Sequence, residues 1–101
     1  MQRPFRFGVV SGGFLSRAAW IALACKAEGL GYSSLLMADR PSMGGLAPLT
    51  ALAVAAQATS TLRIGSYVFC NDYRHPALLA REAATLDILS DGRCELGLGA
   101  G

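Results

Sequence analysis

A carboxylate directly behind an apolar run is the first candidate for chemistry in this chain. Asp39 follows Leu35-Leu36-Met37-Ala38. At the end of a buried strand its carboxylate would lie at the rim of a site and could orient a ring or accept a proton. A salt bridge with Arg40, or a cap on the next segment, is the equal alternative. Ser66-Tyr67-Val68 places polar and aromatic groups where an apolar strand should finish. That composition suits a bulge that re-aims the backbone toward a ligand, or an ordinary strand end. His75, the single histidine, precedes Pro76 and a helix start. Capping is the commoner task there and catalysis the rarer one. Gly97-Leu98-Gly99-Ala100-Gly101 would let a phosphate or a flat ring approach the backbone. GxGxG is short of the full dinucleotide fingerprint, however. Arg93 is expected to pair with Asp87 or Asp91 in a structural role. Cys25, Cys70 and Cys94 are odd in number, far apart and without CxxC spacing. They predict neither a disulfide framework nor a zinc site, and read as buried small hydrophobes. No Ser/His/Asp triad, carboxylate dyad or metal cluster assembles.

These residues need strands and helices to position them. Four segments read as strands: 5–10, 33–38, 62–68 and 94–99. Three helices fall between them, over about 16–28, 46–58 and 76–89. Ser16 suits an N-cap, and Gly29 and Gly31 suit a helix end. Pro48 and Pro76 sit in first turns, where a missing N–H costs little. Asp91-Gly92 stops the third helix. Strands joined by helical crossovers are parallel and connected right-handedly. The order βαβαβαβ fits an open doubly wound sheet or part of a (β/α)8 barrel, and the even spacing of the units favours the barrel. In either architecture ligands bind at the carboxyl ends of the strands. That rule selects four loops: Ser11-Gly12-Gly13-Phe14, Asp39-Arg40-Pro41, the stretch from Phe69 to His75 that includes Asn71, and Gly99-Ala100-Gly101.

Composition bounds the rest. The chain has 101 residues, 52% hydrophobic and 16% charged, which suits one domain and excludes disorder. Mean hydropathy of +0.39 is high for so short a chain and predicts elements covered on several sides. The nine Lys and Arg residues are scattered and the net charge is +2, so no nucleic-acid surface is expected. The apolar stretch 46–58 is too short and too interrupted for a membrane span. No signal region follows the N-terminus. A cytoplasmic location with reduced thiols is the simplest expectation.

Several of these segments resemble the luciferase-like monooxygenase family, most closely its branch that uses the deazaflavin coenzyme F420. They are Arg74-His75-Pro76, the run from Leu79 to Asp87, Leu89-Ser90-Asp91-Gly92-Arg93 and Leu96-Gly97-Leu98-Gly99-Ala100-Gly101. Ala27-Glu28-Gly29-Leu30-Gly31-Tyr32, Ala38-Asp39-Arg40 and Leu62-Arg63-Ile64-Gly65 add to the likeness, which runs from Phe5 to Gly101. The resemblance implies a (β/α)8 TIM barrel, of which residues 1–101 form a single, incomplete N-terminal portion with the first four strands. It implies F420, or alternatively FMN, in the barrel mouth. F420 carries hydride, whereas reduced FMN activates oxygen. By the resemblance Asp39 is the catalytic position, and the family often follows it with His where Arg40 stands here. Ser66, Tyr67, Val68, Asn71, Gly99, Ala100 and Gly101 are the cofactor-binding set. By the same resemblance Ser66 to Val68 are expected to form a bulge with a non-prolyl cis peptide at Tyr67–Val68.

The function expected is hydride transfer between F420 and a small organic substrate, with FMN-dependent oxygen insertion as the alternative. The whole protein is expected to be a homo-oligomer without nucleic-acid or membrane partners. The family's phosphate-binding loops belong to the second half of the barrel, so this portion alone is expected to be inactive. A competing reading is a truncated or non-enzymatic α/β module that binds a partner through its open sheet edges. The downstream reading frame would separate the two.

Overall fold

The computed structural model describes residues 4–11 and 16–101. Its elements are β1 (Gly8–Val10), α1 (Arg17–Gly29), β2 (Ser34–Met37), a short 3-10 turn at Pro41–Met43, α2 (Pro48–Ala58), β3 (Arg63–Ser66), β4 (Phe69–Cys70), α3 (Pro76–Leu89), β5 (Cys94–Glu95) and β6 (Leu98–Gly99). β1, β2, β3 and β5 pair in chain order, every neighbour parallel. Trp20, Ala24 and Ala27 of α1, Leu52 and Ala55 of α2, and Leu86 of α3 share one core with Leu35, Met37 and Ile64 of the sheet. The three helices therefore cover one sheet face. A sheet in chain order with helices on one face is the barrel arrangement. A doubly wound sheet would reverse its order at a switch point and carry helices on both faces.

The helix ends follow the local chemistry expected. The Ser16 side chain accepts from the Ala19 amide at 3.1 Å. Just past α1, Gly31 turns the chain with a φ of +88°, which is costly for any side chain with a Cβ. There the Tyr32 amide turns back to the Ala27 carbonyl at 3.1 Å. α2 begins at Pro48 rather than at residue 46. A residue before proline is pushed out of the helical region, and Ala47 is extended at φ −67°, ψ 126°. His75 caps α3, with Nδ1 accepting from the Ala77 amide at 3.0 Å.

Several side chains join the layers in ways that periodicity does not announce. The Trp20 indole donates to the Ala51 carbonyl of α2 at 2.8 Å. Glu28 Oε2 accepts from the amides of Ser60, Thr61 and Leu62 and from the Thr61 hydroxyl. The Thr61 and Leu62 amides lead in holding this carboxyl down at about 2. Arg93 pairs with neither Asp87 nor Asp91. It donates to the carbonyls of Ser90, Leu62, Ala56 and Thr59 and to the Thr59 hydroxyl. Its fork collects the carbonyls left open where α2 ends, a commoner need than one more surface ion pair. Asp87 instead accepts from the Cys94 amide at 3.2 Å.

The cysteines depart from expectation. Cys25 is exposed, and Cys70 and Cys94 are half-buried. Of the three, Cys94 still packs against the core from its partly buried position. Partial burial pushes the Cys94 thiol up, and the nearby Asp87 carboxylate adds to the effect. Among the described residues no helix is long and apolar enough to cross a membrane.

Candidate functional site at the carboxyl ends of the strands

The two later strands are each broken once. Ile64 and Gly65 face Cys94 and Glu95, whereas Phe69 and Cys70 face Leu98 and Gly99. The third strand therefore carries one more residue than the fourth between the two ladders, which is a bulge. Two uninterrupted strands over 62–68 and 94–99 were expected, so this is a correction to their extent. It is also the irregularity anticipated at Ser66–Val68. The Tyr67–Val68 peptide is cis. The hydroxyl of Ser66 fills the gap in the ladder, donating to the Gly97 carbonyl at 2.9 Å and accepting from the Gly97 amide at 3.0 Å.

Asp39 lies at the carboxyl end of β2 and is only 4% exposed. Arg74 donates to both of its oxygens, at 2.7 and 3.4 Å, and the Cys70 amide donates to one of them at 3.0 Å. The partner is Arg74, from the turn between β4 and α3, and not the adjacent Arg40. The Asp39 bond raises the basicity of Arg74 against the opposing effect of burial. The same guanidinium lies 5.0 Å from the centre of the buried Phe69 ring, within reach of a cation–π contact. Asp39, Arg74, Phe69 and the Cys70 amide thus form one cluster, buried at Asp39 and Phe69 and half-buried at Arg74, that joins the end of β2 to the strand segment beyond the bulge.

Two clefts are lined by Asp39. The smaller, about 310 Å³, brings Asp39 together with Tyr67, Val68, Gly99 and Gly101, and Arg40 and Cys70 also line it. Gly99 is there for close approach: a Cβ would stand 2.6 Å from the Val68 side chain. Ser66 lies beneath the cleft and shapes it through the Gly97 bonds. Asn71 is exposed outside the lining, its amide donating to the Gly99 carbonyl at 3.3 Å, and Ala100 is exposed outside it too. The larger cleft, about 610 Å³, runs from Val10 and Ser11 past Asp39, Arg40 and Arg74 to the start of α2. Of the loop after β1, residues 12–14 lie outside the described residues. No group of three His, Cys, Asp or Glu able to hold a metal ion occurs among the described residues.

Arg74 is the site residue that the loop-by-loop reading did not single out, although it stands in the Arg74-His75-Pro76 segment. Its signal was a cation in a strand-end loop facing a carboxylate at the end of the preceding strand.

Parallel strands in chain order, a bulged third strand and a cluster of polar groups at the strand ends define an α/β barrel-type enzyme scaffold. The profile of the luciferase-like monooxygenase family matches residues 5–101, and the chain belongs to that family. A 4-hydroxyprotoasukamycin monooxygenase of Streptomyces nodosus subsp. asukaensis is 34% identical over 90 residues, covering 86% of this chain and 23% of the relative. Among solved structures, the coenzyme F420 dependent tetrahydromethanopterin reductase of Methanopyrus kandleri superposes with a TM-score of 0.87 at 28% identity, over 95% of this chain and 27% of that one. The oxygenating constituent of 3,6-diketocamphane monooxygenase from the CAM plasmid of Pseudomonas putida, in complex with FMN, gives 0.83 at 25% identity, over 97% and 30%. The chain thus spans about a quarter of the length of the curated relative.

Proposed function

We propose that the protein is an F420-dependent oxidoreductase that transfers hydride between the deazaflavin and a small organic substrate, with the cofactor ring against the Tyr67–Val68 bulge. The observation that carries this reading is the smaller cleft. Val68 and Tyr67 form one wall, and the close-packed backbone at Gly99 and Gly101 forms another. Apolar side chains for a ring face, beside glycine backbone that a flat ring can approach closely, are the surroundings a fused, conjugated cofactor needs. When bound, the cofactor would supply the hydride chemistry.

The residues of this chain would bind and orient. Ser66 holds the bulge through Gly97. Asp39 acts as a positioning residue, because its oxygens are taken up by Arg74 and the Cys70 amide. Asn71 and Ala100 flank the cleft at its rim. The FMN-dependent monooxygenase is the second reading, and the likeness to the FMN-bound structure favours it.

Titration of the protein with F420 and with FMN, followed by cofactor fluorescence, tests the choice. Tighter binding of F420, with reduction of the bound cofactor by substrate in the absence of oxygen, is expected. Binding of FMN alone, with oxygen-dependent turnover, would replace the first reading by the second.

A further inference from the structure

We propose that Tyr73 is a further ring-contact residue of the smaller cleft, and that its phenol ring makes apolar contact with the conjugated ring of the cofactor. This rests on the oxidoreductase reading above, which seats a flat cofactor ring in that cleft.

The placement of Tyr73 and its lack of other work point the same way. It lines the smaller cleft together with Tyr67, Val68, Gly99 and Gly101. It is 49% exposed. Among the described residues its side chain takes part in no hydrogen bond and no ring contact. The ring therefore holds nothing in the fold together. An aromatic side chain left half in water has apolar area still to bury, and a flat conjugated ligand is well shaped to bury it. The hydroxyl is not the group that gains. It is solvated where it stands, whereas the ring exchanges water for contact.

The backbone beneath this ring is fixed. The Tyr73 amide donates to the Cys70 carbonyl at 3.2 Å and closes the turn after β4. Both ends of that turn are tied to one carboxylate. The Cys70 amide donates to Asp39 at 3.0 Å, and Arg74 donates to it at 2.7 Å. Ordering Tyr73 on a ligand therefore fixes side-chain torsions alone, because the turn is already ordered. An unpartnered aromatic on a pinned backbone suits recognition, which needs contact groups held in place before the ligand arrives.

The neighbouring residue has the opposite task. Arg74 lines the larger cleft and commits its guanidinium to Asp39 and the Phe69 ring. Tyr73 lines the smaller cleft and commits its ring to nothing within the fold. Gly99 and Gly101 keep another wall of that cleft free of side chains. Exposed rings beside bare backbone select a flat, conjugated body, whatever charge its substituents carry.

The test is an NMR titration of the protein, labelled with 13C in its tyrosine rings, with lumiflavin and with 5-deazalumiflavin. These bare rings stand in for the two cofactors and need no phosphate contacts. The chain has three tyrosines, and Tyr32, beyond α1, is the internal control. The signals of Tyr67 and Tyr73 are expected to shift through the ring current of the ligand, while Tyr32 stays put. Tyr73→Phe should bind within about twofold of the native protein. Tyr73→Ala should bind at least fivefold more weakly with its melting temperature unchanged. A shift at Tyr67 without one at Tyr73, or native affinity in Tyr73→Ala, overturns the contact and leaves the oxidoreductase reading standing. A loss in Tyr73→Phe as large as that in Tyr73→Ala also overturns it, since the hydroxyl and not the ring would then make the contact. If neither Tyr67 nor Tyr73 shifts, the ring does not enter the smaller cleft, and the contact falls together with that placement of the cofactor.

Discussion

Arg74 holds both carboxylate oxygens of Asp39 across 35 residues of sequence, and the closer contact is 2.7 Å. The pair ties the end of β2 to the turn that follows the bulged strand, and the Cys70 amide adds a third bond to the same carboxylate. A carboxylate buried to this degree persists because its donors replace the water it has lost.

The first prediction follows from that pair. Asp39→Asn keeps the shape and removes the charge, leaving Arg74 without its counter-ion. The Arg74 side chain is 22% exposed, so water relieves part of the loss. The cost should be about 1–3 kcal/mol of stability. Cofactor affinity or turnover should fall at least tenfold, equivalent to about 1.4 kcal/mol. Arg74→Gln should reproduce both effects. Asp87→Asn would be a poor control, because Asp87 holds the Cys94 amide. Asp91→Asn is the better one, since Asn tolerates the left-handed backbone at φ 56°. Unchanged binding and turnover in a folded Asp39→Asn protein would remove Asp39 from the site.

Much of this arrangement was legible in the sequence, for identifiable reasons. Helix ends are local: Ser16, Gly31, Pro76 and Asp91-Gly92 carry their own backbone instructions, and α3 spans the range its pattern predicts. Parallel pairing followed from the crossover length. The breaks in the last two strands were not legible as strand ends, because Ser66 replaces backbone pairing through its hydroxyl and leaves the hydrophobic pattern intact. Long-range partners were the least legible. The nearest charge to Asp39 in sequence is Arg40, whereas the chosen one depends on how the turn before α3 folds back. Arg93 has two carboxylates close in sequence, but its fork finds backbone carbonyls at the end of α2.

Glu28 makes the protein sensitive to acid. Its carboxyl titrates near 2 in the folded chain against 4.5 when unperturbed, chiefly through the Thr61 and Leu62 amides. The folded state therefore binds its proton less readily than the unfolded state does. Its contribution is complete above pH 4.5 and is lost as pH falls toward 2. Denaturation midpoints measured between these limits should fall more steeply for the native protein than for Glu28→Gln. At neutral pH the variant should be less stable by about 1–3 kcal/mol, because an amide oxygen is a weaker acceptor for four donors. Parallel pH profiles for the two proteins would refute this assignment.

Arg93→Lys tests whether shape or charge matters at the end of α2. Lysine keeps the charge but is a point donor, and it cannot reach carbonyls on Ala56, Thr59, Leu62 and Ser90 together. The substitution should cost about 2–3 kcal/mol through acceptors left without partners. Thermal melts are the measurement. A loss no larger than that of an exposed surface change such as Arg17→Lys would show that solvent satisfies these carbonyls unaided.

Gly99 separates the candidate site from the rest of the fold. An alanine Cβ there would meet Val68 at 2.6 Å, so the bulge must give way or the strand segment must shift. β6 is short and pairs only with β4, while the main core lies on the helical side of the sheet. Gly99→Ala should therefore leave the helical circular dichroism intact and lower the melting temperature modestly. Cofactor affinity should fall at least tenfold, or about 1.4 kcal/mol. Gly29→Ala is the paired control. Its added Cβ has no heavy atom within 4 Å, and it sits inside the last turn of α1. It should stabilise the protein by about 0.5–1 kcal/mol through helix propensity and leave binding alone. If Gly99→Ala binds F420 and FMN as the native protein does, the ring does not rest against Val68, and the cofactor must be sought along the larger cleft instead.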